Sequence, residues 1–290
     1  MSDTFALPTE FFSTGDGALA YTDVGEGPPL LFLHGNPTWA YLYRHLIHGL
    51  SPTYRCIAPD YLGFGRSDKP TGFSYRPPAH AAHITALCNH LNLDDLTLVV
   101  HDWGGPIGLA MALQHPERVR RLVLFNTWGW AHDGDPWVQG FSYLAGGPLG
   151  RVLIRRYNAF ARWVLPLAFA RRDRLSDAAF RQYTTPLDTP ERRMPSWIFP
   201  RALRTEAPWL RALWRRRQRL DDCPTWIGWG TRDPAFGGER YVRRWMNAFP
   251  NADVHRFQAG HYVPEEMGTS LVPWVHAFLG RTDAALFRSA

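Results

Sequence analysis

Apolar runs a few residues long alternate along the 290-residue chain with stretches whose apolar positions recur at helical spacing. "PLLFLHG" reads as a strand that is apolar on both faces and ends in a glycine turn. "TWAYLYRHLIHGL" reads as the helix after it. "YRCIAPD" predicts the next strand and "PAHAAHITALCNHLNL" the next helix, followed by "LVVH" (98–101), a small-residue turn, an amphipathic helix and "RLVLFN". Strands apolar throughout and separated by helices belong to a mostly parallel sheet covered on both faces.

After Phe125 that rhythm stops. Residues 129–219 are rich in Pro, Arg and Trp, with helical patches and no strand signal. Alternation resumes with the strand "CPTWIGWG", the helix "GERYVRRWMNAF", the strand "ADVHRFQAGH" and a closing helix "SLVPWVHAFL". The pattern predicts an α/β core from residues 1–128 and 220–290. The block 129–219 is read as a helical cap over the strand ends, where open α/β sheets bind ligands.

Composition narrows the class. A formal net charge of +6 comes almost entirely from arginine, Lys69 being the lone lysine. The densest basic runs, "RRDR" (171–174) and "RRRQR" (215–219), fall in the insertion and read as solvated helix surface. No nucleic-acid motif accompanies them, so no nucleic-acid partner is expected. Three widely spaced cysteines, Cys56, Cys88 and Cys223, match no metal pattern and suit a reducing compartment. "MSDTFALPTEFF" lacks a leader's apolar core, and "WVLPLAFA" is too short to cross a bilayer. A cytoplasmic protein without metal, cofactor or membrane partner is the expectation, with homo-oligomerisation open.

The chemistry concentrates at strand ends. The segment "LVVHDWGGPIGLAMALQ" is a strand, a sharp turn and a helix, the setting in which hydrolases of this architecture display a nucleophile. Its tip carries Asp102, next to helix N-terminal amides that favour negative charge. Taken alone, Asp102 reads equally well as a helix N-cap. His261 follows the last predicted strand and Asp233 the one before it. With 12 histidines in the chain, a lone one carries little weight. A nucleophile, an acid and a base in that chain order, each at a strand end, point to a triad. "HGNPTW" places Asn36 where a backbone amide can meet an oxyanion, and the Asn36–Pro37 bond is a candidate cis peptide. "PDYLGFGRSDKP" reads as a scaffold turn.

Together "HGNPTWAYLYR", "DYLGFGRSDKP", "VVHDWGGPIGLAMALQHPERV", "LFNTW" and "QAGHYVPEE" resemble the haloalkane dehalogenases of the α/β-hydrolase superfamily. The resemblance spans nearly the whole chain and is weakest in the insertion. It implies Asp102 as nucleophile, His261 as base, and Trp103 and Asn36 as N–H donors to a halide, with their backbone amides holding an oxyanion. Asn126 stands where one subfamily keeps its acid, which leaves Asp233 in that role. The implied substrate is a small halogenated hydrocarbon and the product a halide ion.

A carboxylate nucleophile fits that chemistry. It is ionised at neutral pH without help from a base. Attack on an ester would leave a reactive anhydride, whereas attack on saturated carbon leaves an ordinary ester. Haloalkanes and epoxides both qualify, and an epoxide hydrolase is the alternative, with Tyr143, Tyr157 and Tyr183 as insertion tyrosines. A non-hydrolytic ligand-binding or oxygenase relative is the third reading. Trp137, Phe141, Phe160, Trp163, Trp197 and Phe199 are the expected apolar linings of a small pocket.

Overall fold

The computed structural model describes residues 7–286; the start of the N-terminal stretch considered for a leader lies outside them. One eight-stranded sheet runs through the protein: β1 (Glu10–Ser13), β2 (Ala18–Val24), β3 (Pro29–Leu33), β4 (Arg55–Pro59), β5 (Leu96–Asp102), β6 (Val119–Thr127), β7 (Thr225–Gly230) and β8 (Asp253–Phe257). The spatial order is β1-β2-β4-β3-β5-β6-β7-β8. From β4 onward every neighbouring pair is parallel. The first two strands are antiparallel additions at one edge, which the hydropathy pattern does not predict. β1 is largely exposed and carries no buried run, so its apolar signal is too thin to register.

The order reverses beside β3: the chain goes outward to β4, then returns to lay β5 on the other side. That is the topological switch at which parallel sheets open a crevice beyond their carboxyl ends. The loops after β3 and β5 both empty into it.

Alternation along the central strands feeds two cores. Leu98 and Val100 face α2 (Pro77–His90) and α3 (Gly104–Gln114); Val99 and Phe32 face α1 (Arg44–Leu50) on the opposite side. The first predicted helix starts late, because Ala40–Tyr43 form a 3-10 turn before α1 begins at Arg44. Between β6 and β7 the described residues form helices and no strand. These are α4 (Pro136–Gly146), α5 (Pro148–Tyr157), α6 (Leu165–Leu167), α7 (Asp177–Thr184), α8 (Met194–Thr205) and α9 (Ala207–Arg216). After β7 come α10 (Glu239–Ala248), α11 (Val263–Met267) and α12 (Val272–Leu286). Among the described residues no helix is long and apolar enough to cross a membrane.

One buried ion pair ties three of these regions together. Arg44 on α1 donates two parallel hydrogen bonds, 2.6 Å each, to Glu265 on α11. Tyr183 of α7 donates to the same carboxylate, and the guanidinium lies 4.0 Å from the Tyr41 ring centre. Both ion-pair side chains are almost fully buried. Removing one partner strands a charge away from water, which costs about 3 to 5 kcal/mol. Glu265→Ala should lower the stability read from a urea melt by that amount. The double replacement Arg44→Met with Glu265→Leu should restore most of it, since no charge is then left unpaired.

Candidate active site

β5 is buried along its whole length and delivers Asp102 at its end. Asp102 has φ +52°, the left-handed region that a side chain with its own hydrogen bonds tolerates best. The neighbourhood is cut to fit this turn. A Cβ on Gly35 would sit 2.1 Å from Asp102 Oδ1, and one on Gly105 would sit 1.9 Å from Thr127 Oγ1. Thr127 in turn donates to the Asp102 carbonyl at 2.6 Å. The Asn36 backbone N–H donates to Asp102 Oδ1 at 2.9 Å, and the Asn36–Pro37 bond is cis.

His261, from the loop after β8, closes on this carboxylate, and Asp233, from the loop after β7, closes on His261. His261 Nε2 lies 3.4 Å from Asp102 Oδ2, and Nδ1 lies 2.7 Å from Asp233 Oδ2. Asp233 is itself held: Asn126 Nδ2 donates to its Oδ2 at 2.8 Å and the Ala235 N–H to its Oδ1 at 2.7 Å. Asn126 also bridges to the Gly230 backbone through both ends of its amide, so it fixes the loop carrying Asp233. His101 bonds the His261 carbonyl through Nε2 at 2.9 Å. Sequence reasoning marks neither Asn126 nor His101 as a site residue. The signal for Asn126 is its place at the end of β6, beside the strand that carries the acid.

The electrostatics are those of an imidazolium between two carboxylates. Burial opposes a charge on His261, but Asp233 and Asp102 together outweigh it and push its pKa up to about 10. Burial would likewise raise Asp102, yet the hydrogen bond and charge of His261 hold it below the usual carboxylate range. For Asp233, burial is again outweighed, first by the charge of His261. Burial drives His101 down to about 3, so it stays neutral beside them.

These groups face a cavity of about 230 Å³. Asn36 and Trp103 line it next to Asp102. No hydrogen bond within the described residues occupies the Trp103 indole N–H. The Asn36 amide nitrogen donates to the Ser196 carbonyl at 3.3 Å. Of the six aromatic side chains expected to line the pocket, Trp137, Phe141 and Phe160 do. Trp137 is 62 % exposed and sits at the mouth with Leu167.

The other three do not line it. Phe199 is fully buried and packs edge-on against Trp103 and Phe64, behind the cavity wall. Trp197 packs outside Phe160, with its indole N–H donating to the Gly147 carbonyl. Trp163 is half exposed and stacks on Tyr157. Sequence spacing marks a helix face as apolar but not the element that face meets. The unforeseen aromatic linings come from strand-end loops: Trp128 just past β6, Phe236 just past Asp233, and Tyr262 beside His261. None of the three insertion tyrosines reaches the cavity. Tyr143 and Tyr157 are exposed, and Tyr183 is taken up by Glu265. The "PDYLGFGRSDKP" turn serves the scaffold, with Asp60 accepting from the Ala40 and Arg66 backbone amides at 2.9 Å.

The chain is similar to known proteins over most of its length. Residues 28–266 match the family described as the alpha/beta hydrolase fold. Haloalkane dehalogenase 2 of Mycobacterium tuberculosis is 35% identical over 264 residues, covering 90% of this chain and 91% of that one. A cis-3-alkyl-4-alkyloxetan-2-one decarboxylase of Xanthomonas campestris pv. campestris is 37% identical over 286 residues, covering 91% and 93%. Among solved structures, the haloalkane dehalogenase DatA of Agrobacterium tumefaciens superposes with a TM-score of 0.85 at 25% identity. That match covers 97% of this chain and 98% of DatA.

Proposed function

The chain belongs to the α/β-hydrolase fold family and groups with haloalkane dehalogenases within it, and from that premise we propose that it hydrolyses carbon–halogen bonds. One observation carries the reading. A carboxylate held in its charged form opens onto a small apolar cavity, beside an indole N–H that has no partner among the described residues. Such a site has an oxygen nucleophile for saturated carbon and a neutral donor for the group that leaves.

In the first step an Asp102 oxygen attacks the carbon, the carbon–halogen bond breaks, and the halide departs toward the Trp103 indole and the Asn36 amide. Donors fixed in advance in a dry cavity stabilise that anion better than mobile water does. The helical block between β6 and β7 acts as the cap that keeps the cavity dry. The ester that forms carries no charge on residue 102. His261 thereby loses one of the two carboxylates that hold its proton. Its pKa falls, and the ring becomes a base. Asp233 keeps it oriented through Nδ1. His261 then takes a proton from water, which attacks the ester carbonyl while the Asn36 and Trp103 backbone amides hold the oxyanion. Alcohol, halide and a proton result.

The epoxide alternative needs an acid for the alkoxide that leaves. No insertion tyrosine lines the cavity to supply it. Tyr262 does line it, but its hydroxyl donates to the Asn36 carbonyl at 3.3 Å. The intact set of Asp102, His261 and Asp233 weighs against a pure ligand-binding role.

A second reading rests on the decarboxylase relatives, which are as similar to this chain as the dehalogenases are. Asp102 attack at C4 of a 3,4-dialkyl-oxetan-2-one would break the ring C–O bond and release a carboxylate toward the same N–H donors. The C2–C3 bond would then break, expelling carbon dioxide, while its electrons form the alkene and Asp102 leaves as carboxylate. Water takes no part.

A panel of bromoalkanes, styrene oxide and a cis-3,4-dialkyl-oxetan-2-one separates these readings by halide, diol and carbon dioxide release. Halide release at enzyme turnover numbers supports the first; carbon dioxide alone overturns it in favour of the second. Bromide or iodide should quench tryptophan fluorescence, and Trp103→Phe should weaken halide binding about ten- to a hundredfold, the worth of one hydrogen bond to an ion.

A further inference from the structure

From the geometry of α8 we propose that Pro200 is a positioning residue for the leaving-group site, acting through the carbonyl of Ser196. The inference rests on the reading of Asn36 as a donor to the departing halide.

α8 carries Pro200 in its interior. In a helix the N–H of residue 200 would donate to the carbonyl of residue 196. Proline has no N–H, and its ring pushes against that carbonyl and tilts it off the helix axis. The Ser196 carbonyl is therefore left without its helical donor, in the interior of the protein. It is satisfied from across the cap–core boundary: Asn36 Nδ2 donates to it at 3.3 Å, from 160 residues earlier in the chain.

This contact decides which way the Asn36 amide faces. A side-chain amide has an acceptor end and a donor end, and a carbonyl tolerates only the donor. With Nδ2 bound to Ser196, Oδ1 turns to a buried position where it has no partner. Flipping the amide would set two carbonyl oxygens against each other. One Nδ2 hydrogen goes to Ser196; the other has no acceptor among the described residues, and Asn36 lines the cavity. The missing N–H at position 200 thus supplies the acceptor that keeps a donor, and not an acceptor, facing the leaving group. The same helix also backs the second donor, since Phe199 packs edge-on against Trp103. Displacing α8 would disturb both at once.

Pro200→Ala tests this without endangering the fold, because alanine is the better helix former. The N–H restored at position 200 competes for the Ser196 carbonyl and releases the Asn36 amide. Three readouts are expected together. Thermal stability is equal or higher. The new backbone amide exchanges slowly with deuterium, as a helical hydrogen bond requires. Halide affinity, read from tryptophan quenching, falls about tenfold or more, the size of one hydrogen bond to an ion, with chloride hit harder than iodide. Pro200 also lines the cavity, so the pair is checked in an Asn36→Ala background, where Pro200→Ala should weaken halide binding no further.

Rapid exchange of the amide at position 200 overturns the proposal, because Asn36 has then kept the carbonyl. So does an unchanged halide affinity alongside a protected amide, or an undiminished effect in the Asn36→Ala background. If the unmodified protein neither binds halide nor releases it from bromoalkanes, the halide reading itself has failed and takes this inference with it.

Discussion

Asp102→Asn should abolish halide release, with a loss on the order of 10⁶-fold, the size observed when a hydrolase loses its covalent nucleophile. Asparagine keeps the shape of the side chain and tolerates the left-handed backbone at this position, so the elbow should survive. The negative charge goes, and with it the attack on carbon. The same step leaves a signature in the intact enzyme. In a single turnover in heavy-oxygen water, the attacking water adds to the ester carbonyl, so its oxygen remains on residue 102. The first alcohol carries the old carboxylate oxygen. A peptide map should show the label on Asp102 and unlabelled alcohol in that turnover. Label appearing directly in the first alcohol would mean that water attacks the substrate itself, and that Asp102 is no nucleophile.

The strand-end chemistry is legible in the sequence because backbone geometry alone determines it. A nearly uninterrupted apolar run must become a buried strand, and the residues just beyond the run emerge at the sheet's carboxyl edge. Asp102, Asp233 and His261 each stand just past such a run, and the structure joins them through His261 with no link longer than 3.4 Å. Asn36 stands past β3 in the same way. Contacts that depend on how separate elements dock are not legible. Arg44 and Glu265 are 221 positions apart, and no local pattern marks either as buried. Phe199 and Phe141 both stand on apolar faces of insertion helices. One fills the wall behind Trp103 and the other faces the cavity, a difference set by how α4 and α8 cross. Trp128 and Phe236 are within reach, since both come soon after strands and the strand-end rule applies to them too.

The two kinds of relative need not imply two kinds of site. Haloalkane hydrolysis and oxetanone cleavage both start with a carboxylate meeting saturated carbon and an anion departing toward N–H donors. They part at the second step. Hydrolysis needs a base and a water; loss of carbon dioxide needs neither. The imidazole therefore separates the two readings where Asp102 cannot.

Replacing that imidazole should split the reaction in two. His261→Gln cannot take a proton from water, so a bromoalkane should release one halide per enzyme in a burst and then slow to a small residual turnover. Steady-state turnover should fall by about 10² to 10⁴-fold, the usual worth of a general base. Intact mass should rise by the alkyl group less one hydrogen, with the addition mapping to Asp102. The burst is best measured at alkaline pH, because Asp102 loses the cation that holds its pKa down. In the unmodified enzyme the two steps should respond differently to acid. Alkylation needs charged Asp102, whose pKa lies below the ordinary range, so the halide burst should persist well below neutrality. Ester hydrolysis needs neutral His261. The value of about 10 belongs to the free enzyme with both carboxylates charged; esterification removes one of them and lowers it. Turnover should accordingly decline as pH falls through that lowered pKa, while the burst remains, and the variant's residual turnover should lack this acid limb. Sustained bromoalkane turnover by His261→Gln at the unmodified rate would remove His261 from the base role. Sustained carbon dioxide release from the oxetanone by the same variant would show that this site finishes that reaction without water.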